Sequence, residues 1–129
     1  MKLHHIGVAT DDAEAMATLY QDLLDAPLVH EERFDDLDVK FLELAGGYLE
    51  CIEPVGTGTV SRFLEKQGPG MHHLAFQTSH IERRLADAAS LGISLIDKTP
   101  RSGAWGHDVA FLHPADTGGV LIEFVDISE

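Results

Sequence analysis

The chain has 129 residues, the size of one domain, and its 22 acidic against 9 basic side chains give a formal charge of −13. A surface of that sign repels nucleic acid and anionic membranes, so a small-molecule partner is expected. The single cysteine excludes an intrachain disulfide, and with no charged n-region and long apolar run after Met1 the expected address is the cytoplasm. The acidic excess reads either as an ordinary solvated surface or as adaptation to high salt, and composition leaves both open.

In chain order, "KLHHIGVA" alternates as a strand does. "TDDAEAMATLYQDLL" follows as a helix capped by Asp11 or Asp12, with Ala13, Met16, Ala17, Tyr20, Leu23 and Leu24 at helical spacing. After Pro27, "LVHEERF", "DVKFLEL" and "YLECIEP" read as three strands separated by "DDL" and "AGG". A short helix is expected in "TVSRFLEKQGPG", closed by Gly68 and Pro69. The order then repeats: strand "MHHLAFQT", helix "SHIERRLADAASLG", and strands "ISLID", "HDVAFLH" and "GVLIEFV". The expectation is an α+β fold of two βαβββ modules in one domain, residues 1–129. Module 1 covers about 1–55, a linker helix about 57–68, and module 2 about 70–127.

The repeat decides which residues belong together. His4 and His5 match His72 and His73 without a gap, as Thr10 matches Thr78, Glu14 matches Glu82 and Leu23 matches Leu91. Glu50 in "LECIE" and Glu123 in "LIEFV" hold the same place on the last strand of each half, 73 positions apart against 68 for the histidines. Strand alternation puts His5 on a face with Gly7 and Ala9, and His73 with Ala75 and Gln77, so small neighbours leave a hollow above each. Cys51 and Phe124 point to the opposite, helix-covered face, which makes Cys51 a packing residue.

A carboxylate in an apolar strand is costly to bury unless it is paired or binds a metal. Two imidazoles and two carboxylates would make a His2Glu2 set suited to a borderline or hard divalent ion, with positions left for a ligand. Taken singly, each reads more simply as a core histidine or a solvated strand end. Four matched positions reverse that reading. His30 and His80 read as surface residues, His4 and His72 as packing groups or supports, and His107 as the start of a strand.

The segments "HHIGVAT", "YLECIEP", "GPGMHHLAF" and, above all, "GAWGHDVAFLHPADTGGVLIEF" resemble the methylmalonyl-CoA epimerases of the vicinal oxygen chelate (glyoxalase-like) superfamily. The resemblance runs over nearly the entire chain. It implies that the two βαβββ modules form a curved eight-stranded sheet around one divalent metal ion, whether cobalt, manganese, magnesium, nickel or zinc. It implies His5, Glu50, His73 and Glu123 as ligands, with Glu123 also an acid/base group. The family's second acid/base carboxylate lies in a loop before the third strand. That loop reads "FDDLD" here and is shorter than usual, so Asp35 is the candidate and Asp36 the rival. The implied reaction interconverts (R)- and (S)-methylmalonyl-CoA through an enolate, in a homodimer acting on an acyl-CoA. "HPADTGG" reads as a turn able to approach the thioester arm or as an ordinary hairpin turn.

Three alternatives remain at this stage. A glyoxalase I would use similar ligands but needs cationic groups for glutathione, and no clear set is present. A metal-dependent dioxygenase would normally need only two histidines and one carboxylate, so Glu50 argues against it. A non-enzymatic binding protein of the same fold would keep the hollow and need no metal.

Overall fold

The structure is a computed structural model and describes residues 1–128. In chain order the elements are β1 (Lys2–Ala9), α1 (Ala13–Leu24), β2 (Leu28–Phe34), β3 (Leu37–Leu44), β4 (Gly47–Pro54) and α2 (Thr59–Gln67). They continue as β5 (Gly70–Gln77), α3 (Ile81–Ser90), β6 (Arg101–Ser102), β7 (Asp108–Leu112) and β8 (Ile122–Asp126). The chain divides into two compact units, a first of His5–His72 and a second of Met1–His4 with the stretch from His73 onward.

Each unit has the same connectivity. In the first, the strand order is β2-β3-β4-β1, with β1 parallel to β4 and the other pairs antiparallel. In the second, the order is β5-β8-β7-β6, with β5 parallel to β8 and the other pairs antiparallel. A parallel pair needs a crossover, which α1 and the β2–β3 hairpin supply in the first unit and α3 and the β6–β7 hairpin in the second.

The helices form where a cap and an apolar stripe coincide. Asp12 caps α1 by accepting from the Ala15 N–H at 3.0 Å, while Thr10 Oγ1 accepts from the Asp12 N–H at 3.1 Å. The stripe of Ala13, Met16, Ala17 and Tyr20 packs on Leu28, Leu42, Leu44, Leu49 and Cys51. Leu23 and Leu24, expected on that stripe, are 66% and 43% exposed, because the helix ends there, at Asp25 in the left-handed region (φ 53°). On α3, Ile81, Leu85 and Ala88 pack against Phe76, Ala110, Leu112 and Phe124. Each large apolar side chain buried this way contributes about 1.5–3 kcal/mol.

The strand expected over "ISLID" does not form. That segment keeps one bridge, Leu95 to Leu112, and the strand preceding β7 is instead the two-residue β6. The reason lies in Asp97. Its Oδ2 accepts the Phe111 N–H at 2.9 Å, and the Ile96 and Asp97 N–H groups both donate to the Phe111 carbonyl, so a side chain replaces the ladder's regular backbone partner.

Candidate functional site

Two His–Glu pairs occupy the same place in the two units. In the first, β1 carries His5 and the parallel β4 carries Glu50, with His5 Nε2 3.3 Å from Glu50 Oε1. In the second, β5 carries His73 and the parallel β8 carries Glu123, with His73 Nε2 3.2 Å from Glu123 Oε1. All four side chains are buried, at 4–7% residue exposure. That figure decides between readings, since a carboxylate so enclosed is tolerated only against a hydrogen-bonding or ionic partner.

The surroundings repeat too. Phe41 stands opposite Glu50 across the β3–β4 ladder and sets its ring edge-on to His5 at 5.6 Å. Phe111 stands opposite Glu123 across the β7–β8 ladder and sets its ring edge-on to His73 at 5.7 Å. Each imidazole is thus fixed between a phenyl ring and a carboxylate oxygen, an arrangement that orients the ring before any ligand arrives. Each pair offers one imidazole nitrogen and one carboxylate oxygen, and such donors fit a divalent metal ion. Next to Glu50, Cys51 lies fully buried on the α1 side, and burial, reinforced by the Glu50 charge, pushes its thiol up to about 11. It is a packing residue, not a nucleophile.

The other candidates lie apart. Asp35 and Asp36 are the two loop residues of the β2–β3 hairpin, between the paired Phe34 and Leu37, and both are exposed. Asp35 has φ 52°, the conformation a two-residue hairpin turn demands and one that Asp adopts more readily than most residues. Leu37 pairs with Pro54 and Phe41 with Glu50, so the turn lies beyond Glu50 by four strand positions, about 13 Å at ~3.4 Å per residue. Both carboxylates border instead a cavity of about 190 Å³ formed with Pro54 and the segment 56–61.

The remaining histidines differ in role. His4 is buried with its ring 5.6 Å from that of His107, and His72 lies 5.0 Å from Phe63. His80 is exposed at the start of α3, and the half-buried His30 meets Glu32 at 2.8 Å. Two features escaped the sequence reading. Arg101 sets its guanidinium 5.4 Å from the Phe111 ring centre and pairs with Asp97 at 3.0 Å. Trp105, at φ 62°, sits in the left-handed region in the loop before β7. Neither leaves a periodic signal, because both positions are set by the loop's path.

Residues 4–111 match the model of the glyoxalase/bleomycin resistance protein/dioxygenase superfamily. The chain belongs to that superfamily. It is 34% identical over 128 residues to the uncharacterized protein YqjC of Bacillus subtilis, covering 97% of this chain and 91% of that protein. It is 32% identical over 133 residues to the ethylmalonyl-CoA/methylmalonyl-CoA epimerase of Cereibacter sphaeroides, covering 98% of each. Among solved structures, a variant of Streptomyces coelicolor methylmalonyl-CoA epimerase in complex with 2-nitronate-propionyl-CoA superposes with a TM-score of 0.92 at 31% identity, covering 98% of this chain and 94% of that one. The paired βαβββ units are thus the superfamily's fold, and the resemblance to methylmalonyl-CoA epimerases, which are isomerases, holds over nearly the full length. Among the described residues, no helix is long and apolar enough to cross a membrane.

Proposed function

We propose that the protein is a methylmalonyl-CoA epimerase, in which His5, Glu50, His73 and Glu123 together hold one divalent metal ion. The observation that carries this reading is the duplication of the buried His–Glu pair, His5–Glu50 in one unit and His73–Glu123 in the other. Relatives named as epimerases of the same acyl-CoA class support the substrate.

When bound, the ion would supply positive charge to the oxygens of a 2-carboxyacyl thioester as the α-proton leaves. The chain's own residues do the rest. His5 and His73, each fixed between a phenyl ring and a carboxylate, donate neutral imidazole nitrogens without reorganising. Glu123 takes the α-proton on one face of the carbon and returns it there in the reverse direction. The opposite face needs a second group. Asp35 is the candidate by resemblance and Asp36 its rival, and the role requires the carboxylate to come within roughly 3 Å of the α-proton, or to reach it through one water. Glu50, matched to Glu123 by the repeat and buried beside His5, is the carboxylate that would take this role if neither turn residue does.

The test is solvent-deuterium uptake at the α-carbon of methylmalonyl-CoA by the metal-loaded protein. Uptake with interconversion of the two configurations is the expected result. Isomerisation of a glutathione hemithioacetal in its place would make the protein a glyoxalase I, and saturable ligand binding with neither reaction would make it a binding protein. Asp35→Asn should block interconversion while metal stays bound and one configuration still exchanges. Full interconversion in Asp35→Asn would refute that assignment and move the second role to Asp36 or Glu50. The same reading carries a cytoplasmic homodimer, which size-exclusion chromatography checks.

A further inference from the structure

The strand registers of the second unit put a cation on the face that carries the His73–Glu123 pair. Phe111 stands opposite Glu123, and Arg101 stands opposite Val109. Val109 and Phe111 lie two apart on β7 and so share a face. Arg101 therefore belongs to that same face, on the edge strand β6, and its guanidinium is 5.4 Å from the Phe111 ring centre. The Phe111 ring centre is in turn 5.7 Å from that of His73. Laid end to end, these distances put the guanidinium no more than about 11 Å from the His73 ring.

The guanidinium is held in place yet not saturated. Its Nε–H donates to Asp97 Oδ1 at 3.0 Å, while Asp97 Oδ2 accepts the Phe111 N–H at 2.9 Å. One carboxylate thus ties the arginine to the backbone of the residue on whose ring it rests. Ring and carboxylate together orient the group. Its terminal N–H groups donate to no acceptor among the described residues, and the side chain is 49% exposed. A planar fork anchored at Nε and open at its other end is preorganised for a carboxylate or phosphate. The repeat shows that the fold does not demand this cation. Glu32 stands opposite Val39, two positions before Phe41, so it holds in the first unit the place of Arg101. There Glu32 meets His30 at 2.8 Å, and the charge at the matched position is reversed.

We propose that Arg101 is a substrate-binding residue whose guanidinium takes an anionic oxygen group of the acyl-CoA, a carboxylate or a phosphate. This rests on the epimerase reading above. A 2-carboxyacyl-CoA carries a carboxylate at the reacting carbon and phosphates at the far end of its arm. The chain meets that polyanion with 22 acidic against 9 basic side chains. Overall charge therefore opposes the encounter, and a cation placed on the substrate's path offsets it locally. Arg101 supplies one on the face of the second His–Glu pair, oriented by Asp97 before any ligand arrives.

Isothermal titration calorimetry tests the proposal on the metal-loaded protein and its Arg101→Ala and Arg101→Lys variants. The titrants are methylmalonyl-CoA, CoA alone, and methylmalonyl-pantetheine, which keeps the carboxylate and lacks the phosphates. Arg101→Ala is expected to weaken methylmalonyl-CoA binding about tenfold or more, the scale of a lost hydrogen bond to a charged group. Arg101→Lys should weaken it less, since it keeps the charge and loses the fork. An equal loss with methylmalonyl-pantetheine and none with CoA identifies the carboxylate as the group bound, and the converse identifies a phosphate. Affinity should also fall less steeply with added salt in Arg101→Ala than in the unaltered chain, which a merely structural arginine would not produce. An affinity and salt dependence unchanged in Arg101→Ala overturn the proposal and leave the epimerase reading standing. Loss of bound metal along with affinity also overturns it, by marking the arginine as a support of the His–Glu pair. A selective loss of affinity supports the contact even in a protein that proves not to epimerise. Failure of the unaltered protein to bind methylmalonyl-CoA overturns both.

Discussion

The two units build the same His–Glu pair and then enclose it differently. In the first, Phe41 is 1% exposed and held by the rings of His5, His30 and Tyr48, and β2 and β3 run seven and eight residues. Farther along that face, Ala9 and Ile52 are sealed by α2 through Val60, Phe63 and Leu64. In the second, β6 is two residues long, Phe111 is only partly buried with an arginine over it, and the matching stretch of face at Val109 and Val125 is met by the Gly103 loop. A helix packed by three side chains is a fixed cover. A glycine-led turn carrying a partly buried indole is a lighter cover. A duplicated module can thus keep its His–Glu pair in the same place while the cover over that face differs between the two copies.

The largest test of that comparison removes the shared feature. His5→Ala and His73→Ala should each lose bound divalent metal by elemental analysis and cost roughly 10²–10³-fold in turnover, the scale of losing one element of transition-state charge stabilisation. His80→Ala, exposed at the start of α3, should change neither. Stoichiometric metal retained in either ligand variant would break the four-residue set. Loss in one variant alone would show that one unit suffices to bind.

The next sharpens the difference in cover. Gly103→Ala puts a methyl group within 2.7 Å of Val109, and such overpacking costs about 1–3 kcal/mol. Gly58, at the entry to α2, has extended backbone and nothing within 4 Å of an added Cβ, so Gly58→Ala should stay within about 0.5 kcal/mol. Urea midpoints of the two variants decide it. Equal stability would show that the loop yields freely at Gly103.

How much of this was legible beforehand follows the same division. Period-two alternation in "KLHHIGVA" and "MHHLAFQ" fixed the faces of His5 and His73, and the repeat tied them to Glu50 and Glu123. These are local signals that folding has no reason to override. Residues governed by distant partners were not legible. The strand expected at "ISLID" gave way because the Asp97 carboxylate takes an N–H fourteen positions away. Asp35 resembles a loop base, and its left-handed backbone at one of two turn positions is a property its sequence neighbours did not announce. Leu23 fits the helical period and still lies in solvent, since periodicity does not announce where a helix stops.

A smaller effect separates the helix starts. Thr10 and Thr78 play one part, each accepting from the N–H two residues on, at 3.1 and 3.2 Å. Asp12 adds a side-chain cap and His80 adds none. Asp12→Ala should therefore cost about 1 kcal/mol in thermal or urea unfolding, and His80→Ala close to nothing. A comparable loss in both would mean that the threonine turn, not the cap, sets helix stability.

The smallest effect concerns acid. In the second unit Asp116 accepts the Ser94 N–H at 2.8 Å, which holds its carboxyl below its ordinary value of 3.8. In the first, the Arg33 guanidinium does the same for Asp38. A carboxyl depressed in the folded state contributes stability above its unfolded value, and that contribution is lost as pH falls through the folded one. Stability should thus decline below about pH 4, the ordinary carboxyl range. Asp116→Asn keeps an oxygen to accept the Ser94 N–H but removes the titration, so its stability should fall less steeply between neutral pH and that range. Asp38→Asn removes the charge facing Arg33 and should flatten the first unit's share in the same way. Asp116 is exposed and Asp38 partly so, so solvent screens both and each change should be slight, and smaller in high salt for Asp38 than for Asp116, because an ion pair is screened by salt where a hydrogen bond to a backbone N–H is not. Urea midpoints of the two variants at pH 7 and pH 4, in low and high salt, separate the contributions; identical salt dependence in both would show that neither unit's carboxylate is held by the partner assigned to it.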